Sequence, residues 1–66
     1  MQVTVNGVTT EVAEASSVAA LVVAHGDQLR QVAVALNGDV VPRSRWATTG
    51  LATGDRVEVL APTAGG

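Results

Sequence analysis

Apolar and polar residues alternate over the first twelve positions, which is the period of a strand with one buried face. Val3 and Val5 alternate with polar neighbours up to Asn6-Gly7, and the alternation resumes over residues 8–12. Asn-Gly is typical of the two-residue hairpin turn, because both central residues of that turn need a positive φ. The pattern therefore predicts an N-terminal β-hairpin.

The next segment has the spacing of a short helix. Ser16 or Ser17 is suited to cap its first turn, because serine hydroxyls accept hydrogen bonds from the free N–H groups there. Gly26 supplies a left-handed stop. Since the run between them is apolar throughout, a buried strand competes with this interpretation. The alanine content and the serine-to-glycine bracket favour a helix of about two turns. One helical face collects the larger apolar residues Val18, Leu21 and Val22.

Two further strands are predicted in the middle of the chain. Residues 32–36 alternate valine and alanine and predict a central strand, closed by the turn Asn37-Gly38-Asp39. Val40-Val41 is a short extended piece. Pro42 ends it, because a proline nitrogen has no hydrogen to donate to a neighbouring strand.

The remaining residues predict one more strand and complete the fold. Residues 43–50 are interpreted as a loop or one irregular turn around Trp46, and residues 56–60 alternate again after a Thr-Gly-Asp turn. A strand that follows a helix returns to the sheet by a crossover, so we expect some parallel pairing. We predict an α+β fold, a mixed sheet of about four or five strands with one short helix packed on one face.

The C-terminal segment predicts a separate role for the chain end. Residues 61–66 are small and lack an apolar pattern, so we expect a folded domain over residues 1–60 and a flexible tail after it. Because glycine lacks a Cβ, a diglycine end can enter a narrow cleft in a partner. The Gly66 carboxylate is therefore the candidate functional group. Gly65, Ala64 and Thr63 would enter the partner's active site with it.

Strand parity predicts a surface beside that tail. If the valines and the leucine of residues 32–36 face the helix, then Ala33 and Ala35 face outward. With Val57 and Val59 inward in the last strand, Leu60 also faces outward. Exposed apolar surface often marks a partner site. Arg43 is a further candidate for contact with a partner, whereas the neighbouring Trp46 is interpreted as a residue that closes one edge of the core.

Composition narrows the function further. The chain has 66 residues, a net charge of −2, no cysteine and no lysine. Covalent chemistry through a thiol or amine side chain is therefore ruled out. The negative charge and the single tryptophan disfavour nucleic-acid binding. The longest apolar run is too short for a membrane span, and no signal-peptide pattern is present, so we expect a cytoplasmic protein. No acid–base, nucleophile or metal-ligand group is visible, so we expect a non-enzyme without a bound cofactor.

The segment from Ala35 to Trp46 carries a more specific signal. It resembles the Asn-x-x-(aliphatic)-Val-Pro-Arg-x-x-Trp signature of the ThiS family, the sulfur carrier proteins of thiamin thiazole synthesis. Residues 54–59 resemble that family's Gly-Asp-x-(apolar)-x-(apolar) segment, and Gly65-Gly66 its terminal diglycine. The likeness covers essentially the whole chain. The chain departs from the family in having no Phe or Tyr and in the few charged residues of its helix.

The resemblance implies a ubiquitin-like β-grasp fold and a set of partners. In this family, a ThiF-like E1 enzyme uses ATP to adenylate the terminal carboxylate, here that of Gly66. Sulfur from a persulfide donor displaces AMP and leaves a thiocarboxylate, and a ThiG-like thiazole synthase accepts the sulfur. The free carrier is expected to be a monomer.

Three alternatives remain open at this point. The small subunit of molybdopterin synthase has the same fold, diglycine and thiocarboxylate chemistry. A protein modifier would use the same adenylation step but end in an isopeptide bond to a lysine. A regulatory β-grasp module would bind partners through its surface alone. Deletion of Gly66 separates the last class from the others, because only a carrier or modifier would lose all function.

Overall fold

The computed structural model describes residues 1–25 and 32–60. These residues form β1 (Gln2–Val5), β2 (Val8–Glu11), α1 (Val18–His25), β3 (Ala33–Leu36), β4 (Asp39–Val41), a 3-10 helix (Arg43–Thr48) and β5 (Arg56–Leu60). The 3-10 helix replaces the loop or irregular turn that the sequence predicted around Trp46. It starts where Arg45 N–H donates to the Pro42 carbonyl at 2.8 Å. A six-residue segment with two apolar side chains carries no periodic signal for it.

The sheet has the strand order β2-β1-β5-β3-β4. The β1–β2, β3–β4 and β3–β5 pairs are antiparallel, and β1–β5 is parallel. The predicted mixed sheet is confirmed, with five strands and with the helix on one face. Residues 32–36 were predicted as a central strand, and this is confirmed: β3 spans Ala33–Leu36 and is paired on both sides, with β5 and with β4. The centre is β5, which joins two hairpins that do not pair with each other. This is the β-grasp arrangement.

Two Asn-Gly turns close the hairpins. Asn6 and Gly7 have φ of 51° and 82°, and Asn37 and Gly38 have φ of 51° and 89°. Positive φ at both central positions is the geometry of a type I′ turn, whose twist matches that of the strands it joins. The prediction for the first hairpin is confirmed, and the second hairpin follows the same local rule.

The start of α1 is fixed by a cap and by a neighbouring loop. The Ser17 hydroxyl accepts a hydrogen bond from Ala20 N–H at 3.1 Å, so Ser17 is the capping serine. Val18 N–H donates to the Thr49 carbonyl and Leu51 N–H to the Ser16 carbonyl, each at 2.9 Å. These bonds tie the helix start to the segment after the 3-10 helix. The predicted stop at Gly26 lies outside the described residues.

The core lies between the sheet and the layer formed by α1 and the 3-10 helix. Its buried side chains are almost all aliphatic, and Trp46 is the exception. The Trp46 indole is 5% exposed and donates its Nε1–H to the Val41 carbonyl at 2.9 Å. The interpretation of Trp46 as a core residue is therefore confirmed. The buried core residues are Val3, Val5, Val18, Leu21, Val22, Val34, Trp46, Leu51, Val57 and Val59.

The N-terminal ammonium is held by two carboxylates. It lies 2.8 Å from Glu11 Oε2 and 3.1 Å from Glu14 Oε2, and it donates to the Val12 carbonyl at 2.8 Å. The hydrogen bond to Glu11, followed by that to Glu14, raises the pKa of the ammonium. The same bond to the ammonium lowers the pKa of Glu11. These interactions hold Met1 against Glu11, the last residue of β2.

Candidate functional site

The predicted tail begins directly after the central strand. Leu60 is the last residue of β5 and is 64% exposed. The tail residues Thr63, Ala64, Gly65 and Gly66 lie outside the described residues, so their roles stay predictions. What the structure does place is the point from which the tail leaves the domain. That point is at the centre of the sheet and is flanked by β3.

An apolar patch lies on the open face of the sheet next to this point. Ala33 pairs with Leu60 across β3 and β5, and Ala35 lies opposite Val40 across β3 and β4. Their parity is opposite to that of Val34, which is 1% exposed in the core. We call Ala33, Ala35, Val40 and Leu60 the open-face patch. The structure thus brings together three residues that sequence parity selected.

Val40 is the member of the patch that the sequence analysis missed. It is 76% exposed, the highest value among the large apolar residues described. The signal was present in the sequence, because a two-residue turn at Asn37-Gly38 fixes the register of its hairpin. That register puts Val40 opposite Ala35 and hence on the same face.

Charged residues border the patch along β5. The outward side of this strand carries Arg56, Glu58 and Leu60 in turn, and all three are exposed. Glu58 lies opposite Ala35 across the β3–β5 pair. Along β5 the open face is therefore apolar at Leu60 and charged at Glu58 and Arg56, and Glu58 lies level with Ala35 and Val40 of the patch. A partner would meet apolar surface first at the end where the tail emerges.

Arg43 does not belong to this patch. Its guanidinium lies over the Trp46 ring, 5.3 Å from the ring centroid, within contact range for a cation–π interaction. Trp46 packs on the helix side of the sheet, and Arg43 is placed by the 3-10 helix. The structure therefore groups Leu60 with Ala33 and Ala35 but does not group Arg43 with them. The prediction that Arg43 contacts a partner stays a prediction.

Two asparagine side chains hold the central strand, and the sequence analysis assigned them only to turns. The Asn6 amide accepts from Val59 N–H at 2.9 Å and donates to the Val59 carbonyl at 3.1 Å. The Asn37 amide accepts from Arg56 N–H at 2.9 Å and donates to Asp55 Oδ1 at 3.0 Å. Each hairpin turn thus secures one end of β5. No pattern in the sequence predicts hydrogen bonds between residues that are 53 positions apart, as Asn6 and Val59 are.

The described residues contain no buried polar site and no metal-binding cluster. None of their polar or charged side chains is buried, and no three of their His, Cys, Asp or Glu residues cluster closely enough for a metal ion. The α-helix they contain has eight residues, too few to cross a bilayer. Within residues 1–25 and 32–60, the features suited to function are the open-face patch and the start of the tail beside it.

Comparison with known proteins identifies close relatives of this arrangement. The model of the ThiS family matches residues 3–66. The crystal structure of a thiamine biosynthesis protein, ThiS, from Geobacter metallireducens is 39% identical, with a TM-score of 0.85 and full coverage of both chains. A solution structure of a thiamine biosynthesis protein from the same organism is 38% identical, with a TM-score of 0.83, and covers all of this chain and 88% of the other. The search of curated proteins gives no match.

Proposed function

Because the chain belongs to the ThiS family, we propose that it is a sulfur carrier for the formation of the thiamin thiazole ring. The observation that carries the proposal is the extent of the family match. It runs from residue 3 to residue 66 and so includes both the folded domain and Gly65-Gly66. The related Geobacter structure, described as a thiamine biosynthesis protein, supports the same pathway.

The chemistry is placed on the Gly66 carboxylate. A carboxylate resists nucleophilic attack, so its oxygen first attacks the α-phosphorus of ATP on a ThiF-like enzyme. Pyrophosphate leaves, and an acyl-adenylate with a good leaving group remains. A persulfide sulfur then attacks the acyl carbon, and AMP departs. A second thiol reduces the resulting acyl disulfide, which frees the thiocarboxylate and leaves a disulfide behind. Because the chain has no cysteine, it supplies neither the persulfide nor the reducing thiol.

A ThiG-like thiazole synthase is the proposed acceptor of the sulfur. The carrier itself supplies no catalytic group, and ATP is used by the adenylating enzyme. The carrier's contribution is to present one reactive carboxylate at the end of a chain that a partner can grip.

The open-face patch is the proposed docking surface for the adenylating enzyme. Six residues follow Leu60, and an extended chain of that length reaches at most about 20 Å. The enzyme that receives Gly66 must therefore contact the domain close to Leu60. The apolar surface nearest Leu60 is the exposed Ala33 opposite it, and the half-buried Ala35 and exposed Val40 continue it one register step further along the sheet. The patch and the tail would thus bind as one continuous surface.

Intact-protein mass spectrometry tests the function directly. The chain is incubated with a ThiF-type enzyme, ATP and a persulfide donor, and the mass change is localised by fragmentation. The expected product has one oxygen of Gly66 replaced by sulfur. The matched control is the chain lacking Gly66, which keeps the folded domain but presents Gly65 as its end. We expect no sulfur on this variant.

Other products would overturn the proposal in different ways. An unchanged terminus, with an enzyme shown to be active on its own carrier, would return the chain to the class of binding modules. A covalent bond from Gly66 to a lysine of another protein would identify a modifier instead. Sulfur transfer to a molybdopterin precursor, without transfer to a thiazole, would assign the carrier to the rival pathway.

A further inference from the structure

We infer that Asn6 is a positioning residue whose side-chain amide holds the end of β5, from which the tail leaves the domain. The inference rests on the proposed function, because it concerns how Gly66 is delivered to a partner's active site. Asn6 lies in the first hairpin turn, 53 positions before the residue that it binds. The inference is based on two hydrogen bonds between the Asn6 side chain and the Val59 main chain, which extend the β1–β5 ladder beyond the end of β1.

The side-chain amide of Asn6 replaces a main-chain carbonyl in the β1–β5 ladder, because the main chain of Asn6 already belongs to the turn. In a parallel ladder, a residue donates its N–H to one carbonyl and accepts from the N–H two positions further along. Asn6 N–H makes the first bond, to the Val57 carbonyl at 2.9 Å. Its own main chain then enters the turn with φ of 51°. Its Oδ1 accepts the second bond instead, from Val59 N–H at 2.9 Å, and its Nδ2 donates to the Val59 carbonyl at 3.1 Å.

These bonds hold β5 at the position just before its end. On the β3 side, Val34 pairs with Val59 and Ala33 pairs with Leu60. On the β1 side, the regular strand stops at Val5, so the Asn6 amide makes the described contacts to Val59 there. With the amide in place, the strand is held from both sides up to Val59. Without it, the last two residues of β5 would be held from one side, and the point from which Gly66 is presented to a partner would be less firmly fixed.

The second Asn-Gly turn provides a matched control. Asn37 has the same φ of 51°, and its amide also makes two hydrogen bonds to the β5 segment. Those bonds reach Asp55 and Arg56, at the opposite end of the strand from the tail. Substitution of either asparagine by glycine keeps a residue that adopts positive φ readily and removes one amide. Each variant therefore loses two hydrogen bonds. Asn6→Gly loses two part-buried bonds to the Val59 main chain, whereas Asn37→Gly loses one exposed bond to the Arg56 N–H and one to the Asp55 side chain, at the other end of β5.

The experiment compares Asn6→Gly with Asn37→Gly as substrates of the ThiF-type adenylating enzyme. Released residues must be ordered again on binding, at a cost that corresponds to about 5- to 30-fold in affinity. We expect the KM of Asn6→Gly to rise by roughly this factor while kcat is kept. Asn37→Gly should keep the wild-type KM. Hydrogen exchange of the free proteins gives a second readout, with the Val59 amide exchanging faster in Asn6→Gly than in Asn37→Gly.

Each outcome bears on the inference separately from the proposed function. An equal rise of KM in both variants would show a general loss of stability and would overturn the inference, as would no rise in either. If the wild-type chain were not adenylated at all, the proposed function would fail. Hydrogen exchange would still test whether the Asn6 side chain protects the Val59 N–H. Equal protection of Val59 in both variants would then refute the role of Asn6.

Discussion

Replacement of Trp46 by phenylalanine tests how the 3-10 helix is attached to the sheet. The indole donates to the Val41 carbonyl at 2.9 Å and is 5% exposed. Phenylalanine keeps an aromatic ring but leaves this carbonyl one donor short, at a cost of about 1–3 kcal/mol. The smaller ring also leaves unfilled space, which adds about 1 kcal/mol. We expect the free energy of unfolding to fall by about 2–4 kcal/mol.

This loss is large for a domain of 66 residues, whose total stability is about 3–10 kcal/mol at typical values per residue. The melting temperature should fall by roughly 10–30 °C, at about 4–8 °C per kcal/mol. Since Trp46 is the only tryptophan, far-UV circular dichroism is the suitable probe for both proteins.

Arg43→Ala is the control for that experiment. It removes the cation–π contact to the same ring but keeps the indole hydrogen bond. For an exposed arginine we expect a loss of about 0.5–1 kcal/mol. A shift below about 4 °C in Trp46→Phe would refute the reasoning, because it would mean that the lost donor costs less than about 1 kcal/mol. An equally large effect of Arg43→Ala would refute it as well.

Four further predictions follow from other parts of the molecule. Ala15 has φ of 63°, and Ala15→Gly should raise the free energy of unfolding by about 0.5–1 kcal/mol in a thermal melt, whereas an unchanged or lower melting temperature would contradict the backbone reasoning. Glu11→Gln should lower stability most between the ordinary pKa values of 4.5 and 8.0 for the carboxylate and the ammonium. The difference in the free energy of unfolding between variant and wild type should disappear in acid, as pH drops through the lowered pKa of Glu11. It should also disappear in base, as pH rises through the raised pKa of the ammonium. Urea titrations at several pH values measure this difference, and a difference that does not change with pH would contradict the ion pair. Gly65→Val should melt like wild type but fail in ATP–pyrophosphate exchange, and normal exchange would contradict a narrow cleft. Leu60→Asp should raise the KM for adenylation about tenfold or more. Val8 is an exposed valine on the edge strand β2, and Val8→Asp should leave the KM unchanged. Equal effects of the two substitutions would rule out the open-face patch as the docking surface.

Local rules predicted the elements of this fold well. Asn6-Gly7 and Asn37-Gly38 set the hairpin turns through their own backbone preferences, and Ser17 begins the helix through one hydroxyl. Parity within a strand then placed Ala33, Ala35 and Leu60 on one face. All of these features depend on residues close together in sequence, and for that reason a single sequence is sufficient to infer them.

Features that join distant segments could not be predicted in the same way. Strand order depends on which strand is inserted between the two hairpins. The alternation of valine and alanine in residues 32–36 does not show whether that strand lies at the centre of the sheet or next to the central strand. The bond from Asn6 to Val59 and the pairing of the N-terminal ammonium with Glu11 both depend on the assembled sheet. The chemistry assigned to Gly66 came from family resemblance, since a diglycine by itself is shared by carriers and modifiers.

The central place of β5 has a consequence for how the protein folds. The two hairpins need only local contacts, and such units form within about 1–10 μs. β5 pairs with β1 across most of the chain, as in the Val5–Val57 partnership, and long-range pairing of this kind is slow to form. The two hairpins cannot become one sheet until this strand is inserted between them. A partly folded chain in which β5 is not yet inserted therefore offers a partner two unjoined hairpins, and Leu60, from which the tail leaves, is not yet fixed to the sheet.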